Sequence, residues 1–234
     1  MTPIDHPSPN FDLRALPVQI IVLHYTGMRS AEAAIAWLAN PESKVSAHWL
    51  VAEDGQIVRM VDENARAWHA GKSFWRGITD VNSASIGIEI VNPGHEFGYR
   101  PFPDEQIAAV ETLVSAAMAC FGVLPANVIG HSDVAPTRKS DPGELFDWPR
   151  LARAGLAMAV PDGGFDPGWT DAGTLMALAR YGYDVADPKS AVIAFQRRFR
   201  PACFDGVIDA ETRRILRGVL VSGSVDPQWT RVGA

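Results

Sequence analysis

Apolar residues change their spacing several times along the chain, and each change marks an element. Residues 18–24 run Val-Gln-Ile-Ile-Val-Leu-His and stop at Tyr25-Thr26-Gly27, the pattern of a buried strand that carries His24 to its end. Ser30 is placed to cap a short helix over 31–39, which Asn40-Pro41 closes. Residues 47–51 and 56–61 flank Asp54-Gly55, a hairpin signal, and residues 85–91 form a further strand ended by Asn92-Pro93-Gly94. From Asp104, the residues Ile107, Val110, Val114, Ala117 and Phe121 recur at steps of three and four, between Pro103 and Gly122, which predicts an amphipathic helix. A short strand at 128–131 ends in His131, and a polar loop rich in proline and glycine follows to Asp147.

Strands and helices interleave through this first part, which makes it α/β, with a mixed central β-sheet flanked by helices. Residues 161–168, Pro-Asp-Gly-Gly-Phe-Asp-Pro-Gly, are the most turn-dense stretch and read as a linker. Beyond it lie three helical segments, 170–181, 188–199 and 209–219, and no strand pattern. The expected organisation is a domain over 1–160 and a small all-α three-helix domain over 161–234.

Composition alters this picture little. The chain has 234 residues, 47% of them hydrophobic and 21% charged, as in an ordinary globular protein that folds throughout. A net charge of -6 without any basic run excludes an electrostatic footprint for nucleic acid or anionic lipid. The first residues lack the basic and apolar regions of a signal peptide, and no stretch is long enough to span a bilayer. The expected compartment is therefore the cytoplasm, or the periplasm if an export signal once preceded this chain. Cys120 and Cys203 lie in apolar contexts and are expected to be free, buried thiols of a reducing compartment.

Among the six histidines, His24 and His131 stand where strands run into loops, and Asp141 follows in the loop after His131. Two imidazoles and a carboxylate leave the fourth position of a tetrahedral ion open to water, as a catalytic zinc requires. Spacing alone leaves open that these are ordinary core or surface residues. The surrounding words narrow the choice: residues 18–27 with His24; 45–51, Val-Ser-Ala-His-Trp-Leu-Val; 67–71, Ala-Trp-His-Ala-Gly; 85–89, Ser-Ile-Gly-Ile-Glu; and 130–143, Gly-His-Ser-Asp-Val-Ala-Pro-Thr-Arg-Lys-Ser-Asp-Pro-Gly. In that order they resemble the motifs of the type 2 N-acetylmuramoyl-L-alanine amidases, over residues 8–148.

The resemblance implies one zinc ion held by His24, His131 and Asp141, with Glu89 and Lys139 as the catalytic pair. Such an enzyme hydrolyses the amide between the lactyl group of N-acetylmuramic acid and L-alanine. Glu89 stands in a strand that is otherwise apolar, where a carboxylate is costly unless its charge is answered; the alternative is a strand glutamate facing outward. Lys139 is suited to stabilise an oxyanion, its alternative being a solvated loop lysine. A phage-type branch of the fold uses a cysteine as third ligand and a tyrosine near the hairpin histidine; Asp141 and Ala47 stand there, so the glutamate-dependent branch fits better.

Trp68, His69 and Ala70 resemble the segment lining the substrate cleft, and His48 and Lys44 are assigned to the cleft beside them. For His48 a packed core histidine, and for Lys44 a solvated lysine, remain open. His95 and His6 receive no function. Residues 166–221 resemble a small three-helix peptidoglycan-binding domain, although the helical repeat of Val192, Phe195 and Phe199 by itself argues only for a packed bundle. The expected partners are peptidoglycan fragments, anhydro-muropeptides returned during cell-wall recycling. Polymeric peptidoglycan attacked by an exported enzyme, or binding of muropeptides without cleavage, are the alternatives. Neither nucleic acid nor membrane insertion is expected, and oligomeric state is unknown.

Overall fold

The computed structural model describes residues 2–161 and 164–223. Its strands are β1 (Ile4–Asp5), β2 (Phe11–Leu13), β3 (Ile20–Tyr25), β4 (Trp49–Val51), β5 (Ile57–Arg59), β6 (Ala65–Ala67), β7 (Ser85–Ile90) and β8 (Val128–Gly130). Its α-helices are α1 (Ala31–Leu38), α2 (Val81–Ala84), α3 (Gly94–Phe97), α4 (Asp104–Phe121), α5 (His131–Val134), α6 (Trp148–Arg153), α7 (Asp171–Tyr181), α8 (Pro188–Phe199) and α9 (Ala210–Gly223). Six strands form one sheet in the order β1-β5-β4-β7-β3-β8, with β2 and β6 paired separately. Only β4 and β5, the expected hairpin, run antiparallel in the main sheet. The fold is thus the mixed α/β sheet flanked by helices that the spacing predicts.

Strand alternation divides the sheet's residues between two faces. Ile21, Leu23, Ile86, Ile88 and Ile90 point to one, where they pack with Ile107, Val110 and Val114 of α4 and with Trp148 and Leu151 of α6. Ile20, Val22 and Ile129 point to the other and pack under α7, α8 and α9, against Leu178, Phe195, Leu216 and Val219. At the hairpin end of this second face α1 covers Leu50 and Val58 through Ala34 and Leu38. Between these two covers the ends of β3 and β7 stay open, and the candidate site lies there.

The three C-terminal helices fall where the helical spacing predicts them, and they share one continuous core with β3 and β8. Asp162 and Gly163 of the expected linker, and residues 224–234 of the expected second domain, lie outside the described residues. The two thiols depart from expectation, because both are exposed. The buried stripe of α4 runs through Val110, Val114 and Ala117, and Cys120 falls on the solvent flank of that stripe. Cys203 sits in the turn after α8, beside Asp205.

Candidate active site

His24 is the fifth residue of β3 and pairs in register with Glu89 of β7, so both side chains leave the same face on neighbouring strands. His131 begins α5 directly after β8, and the loop that follows returns Asp141 beside it. The Ser132 N–H donates to the Asp141 carbonyl at 2.9 Å, which locks the two segments together. His24 Nδ1 lies 2.9 Å from His131 Nδ1, and Asp141 Oδ2 is 3.1 Å from the first and 3.0 Å from the second. Ligand atoms about 2.0–2.1 Å from a tetrahedral ion stand about 3.3 Å apart, close to these separations.

The hydrogen bonds behind the triad decide where its protons are. The Ser85 hydroxyl donates to the Val81 carbonyl at 2.5 Å, so its oxygen accepts from His69 Nε2–H at 3.2 Å. His69 Nδ1 is then an acceptor, and His24 Nε2–H donates to it at 3.0 Å. On the other side His131 Nε2–H donates to the Ala70 carbonyl at 3.1 Å. Both Nδ1 atoms therefore face the Asp141 carboxylate, and three atoms able to ligate a metal converge at one point. Among the described residues this is the one cluster of histidine, cysteine and acidic side chains arranged to hold a metal ion.

Electrostatics favour a neutral His24 and an ionised Asp141. Burial pushes the His24 pKa down to about 4, and the neighbouring His131 adds to the effect. Burial also works to raise the Asp141 carboxyl, but His131 and His24 outweigh it and hold that group well below the usual carboxylate range. Glu89 goes the opposite way: burial, with Asp141 adding to it, raises its carboxyl well above normal, against the pull of Lys139. Its Oε2 is buried without a hydrogen-bond partner. A carboxylate oxygen left unpaired inside a polar cleft is available to take a proton.

The cleft holds about 370 Å³, within the range of small-ligand sites, and its walls include Tyr25, Trp37, Glu89, Arg138, Lys139 and Ser140. Lys139 is exposed on the loop between His131 and Asp141, its N–H donating to the Ala135 carbonyl at 3.0 Å. His69 lies behind His24 at the cleft floor, where Gly87 makes room for it: a Cβ there would come within 2.4 Å of the imidazole. Ala70 contributes its carbonyl, which holds both His131 and Arg138. Trp68 is half-buried and exchanges hydrogen bonds with Ser46, which lines the cleft, but does not line it itself.

Two expectations need correction. His48 is 0% exposed and does not line the cleft: its Nδ1 accepts from the Gly87 N–H at 2.9 Å and its Nε2–H donates to the Ala65 carbonyl at 3.2 Å, leaving nothing for a substrate. Lys44 is exposed, in a left-handed turn with φ 56°, and only its neighbours Val45 and Ser46 reach the cleft wall. Other residues the sequence reading passed over belong here. The Tyr25 hydroxyl meets Ser140 Oγ at 3.0 Å and His95 Nδ1 at 2.9 Å. His95 stacks on Tyr99, whose hydroxyl donates to the Pro142 carbonyl and accepts from the Leu145 N–H, stapling the loop that carries Asp141. Tyr25 directly follows His24 and Arg138 lies inside a quoted motif, so adjacency is the available signal for both; His95 and Tyr99 offer none.

Comparisons with known proteins agree with this geometry. Residues 14–144 match the family model described as N-acetylmuramoyl-L-alanine amidase. The chain is 37% identical over 231 residues to the N-acetylmuramoyl-L-alanine amidase AmiD of Escherichia coli, covering 87% of this chain and 82% of that protein. It is 35% identical over 165 residues to the 1,6-anhydro-N-acetylmuramyl-L-alanine amidase AmpD of the same organism, covering 62% of this chain and 87% of the relative. The solved complex of E. coli AmiD with anhydro-N-acetylmuramic acid-L-Ala-D-gamma-Glu-L-Lys superposes with a TM-score of 0.80 at 34% identity, over 92% of this chain and 94% of that one. The chain therefore belongs to the N-acetylmuramoyl-L-alanine amidase family, and it is an amide hydrolase of that class.

Proposed function

We propose that this enzyme hydrolyses the amide between the lactyl group of N-acetylmuramic acid and L-alanine in soluble muropeptides, including those with a 1,6-anhydro sugar, and that His24, His131 and Asp141 hold one zinc ion for the reaction. The observation that carries the reading is the convergence of two imidazole nitrogens and one carboxylate oxygen about 3 Å apart. When bound, zinc supplies a Lewis acid and brings a coordinated water within reach of ionisation near neutral pH.

The chain's own groups do the rest. Glu89, beside the triad and with an unpaired oxygen, takes a proton from the attacking water and passes it to the departing alanine nitrogen, so the C–N bond breaks with a neutral amine leaving. The Lys139 ammonium answers the negative charge that grows on the carbonyl oxygen. His69 and Ala70 act behind the ligands, fixing which ring nitrogen each histidine presents. Soluble fragments are the preferred substrate because the related AmiD is solved with such a molecule and because similarity extends to AmpD, named for the anhydro sugar.

The test is to measure metal content and then incubate zinc-loaded enzyme separately with anhydro-muropeptides and with intact sacculi, reading free stem peptide by mass spectrometry. Release from fragments, abolished by a chelator and restored by zinc, is the expected result. Release from sacculi alone would move the substrate to polymeric peptidoglycan, and release from neither would end the proposal.

A further inference from the structure

The turn that carries His131 is held from behind by the C-terminal helices. The Asp133 carboxylate, two residues beyond His131, accepts from three donors: the Gly130 N–H at 2.8 Å, the Tyr183 hydroxyl at 2.5 Å and Arg198 Nη1 at 2.9 Å. Arg198 Nη2 also donates to the carbonyl of Val128 at 2.7 Å, so a single guanidinium grips the first residue of β8 and the third residue of α5, with His131 between them. Asp133, Tyr183 and Arg198 are 1%, 1% and 5% exposed. The guanidinium lies over the Trp148 ring at 4.2 Å, and Val134 and Ala135 share a core with Leu178, Tyr181 and Phe195.

An ion pair taken wholly out of water rarely adds stability over apolar side chains of the same size. What it adds is direction, since each of its hydrogen bonds tolerates only a narrow geometry. Here the directed contacts end on the backbone on either side of a residue whose ring must present Nδ1 to the triad. From Ala135 the same turn continues into the Arg138 and Lys139 amides, and through Ser132 it reaches Asp141.

We infer that Arg198 and Tyr183 are positioning residues for the metal turn, which makes the helical segment a working part of the hydrolytic site and not a detachable wall-binding attachment. The inference rests on the proposed ligand role of His131. It predicts that Arg198→Met lowers zinc affinity at least about 10-fold and shifts the visible absorption bands of the cobalt-substituted enzyme, both measured in full-length protein. Arg198→Lys, which keeps the charge and one donor, recovers part of the affinity. Tyr183→Phe removes a single donor with no change of shape, gives a smaller shift in the same direction, and serves if Arg198→Met does not fold.

Leu216→Ala, in the same helical core but with an apolar side chain that makes no hydrogen bond to the turn, is the control for general loosening, and is expected to lower thermal stability with unchanged zinc affinity. In metal-free protein, amide exchange over residues 128–135 is expected to rise in Arg198→Met while that of residues 20–23 stays as in the wild type. Unchanged zinc affinity and cobalt spectrum in both Arg198→Met and Tyr183→Phe would overturn the inference, as would an equal loss in Leu216→Ala. A wild-type protein that binds no zinc would overturn the ligand reading instead, and the exchange comparison would still judge the bracing.

Discussion

The two faces of the central sheet use the same strands for opposite purposes. Toward α4, β3 and β7 present Ile21, Leu23, Ile86, Ile88 and Ile90, all packed against aliphatic side chains. On the other face β3 first gives Ile20 and Val22 to the helical core, and the remaining alternate positions of the two strands are His24, Ser85, Gly87 and Glu89, with His69 beside them. The apolar face needs only shape, and its burial stabilises the fold by about 1.5–3 kcal/mol for each large aliphatic side chain. The polar end needs its nitrogens and oxygens matched, and the Glu89 Oε2 left unmatched there lies where chemistry occurs. One face holds the sheet still so that the other can keep its imidazoles in a single orientation.

Substitutions can set these faces against each other. The largest effect is expected at the triad: His131→Ala loses both the metal and at least about 10³-fold in rate, whereas Glu89→Gln keeps the metal and loses a comparable rate. Metal analysis beside a rate assay separates the two, and equal metal loss in both would refute the division of roles. Next comes Ile88→Ala on the apolar face, expected to cost about 2–5 kcal/mol in urea unfolding while the folded protein binds metal at full stoichiometry. A lower stoichiometry there would show that the faces are not independent.

Gly87→Ala should cross from one face's logic to the other. It displaces the His69 imidazole and is expected to weaken zinc binding about 10–100-fold and to cost about 1–3 kcal/mol in unfolding free energy; chelator competition reads the first and urea unfolding the second. Last comes a pH slope, small at each step. Burial, reinforced by Arg14 and opposed by the Ala65 carbonyl and Asp62, pushes the His48 pKa down to about 3. The unfolded chain binds a proton near pH 6.5 that the folded one refuses, so stability falls as the pH drops from about 6.5 toward 3, by about 1.4 kcal/mol per unit for this residue. Urea titrations across that range test it: removing His48 by His48→Asn should flatten the slope, even if the variant is less stable throughout.

The sequence made the strand and helix order legible because hydrophobic spacing records which way each side chain faces, and the α4 stripe from Ile107 to Phe121 is the clearest case. His24, His131 and Asp141 were legible through the local words around them. The difference between His48 and His69 was not. Both lie near aromatic residues in motif-like segments, and which one stands behind a ligand depends on the register of β7 and on the space left by Gly87. Nor did any local pattern announce that Asp133 would meet Arg198 sixty-five residues later. Helical repeats in α7, α8 and α9 say that these segments bury one side, but not what they bury it against.

Asp141 Oδ2 lies ten residues from His131 and 117 from His24. An ion shared by all three would rivet the first long strand to a loop half the chain away, closing a very large ring that the unfolded polypeptide would otherwise leave open. Heat resistance would then track the supply of metal as well as the quality of the core, and a chelator would lower the melting temperature as well as stop turnover.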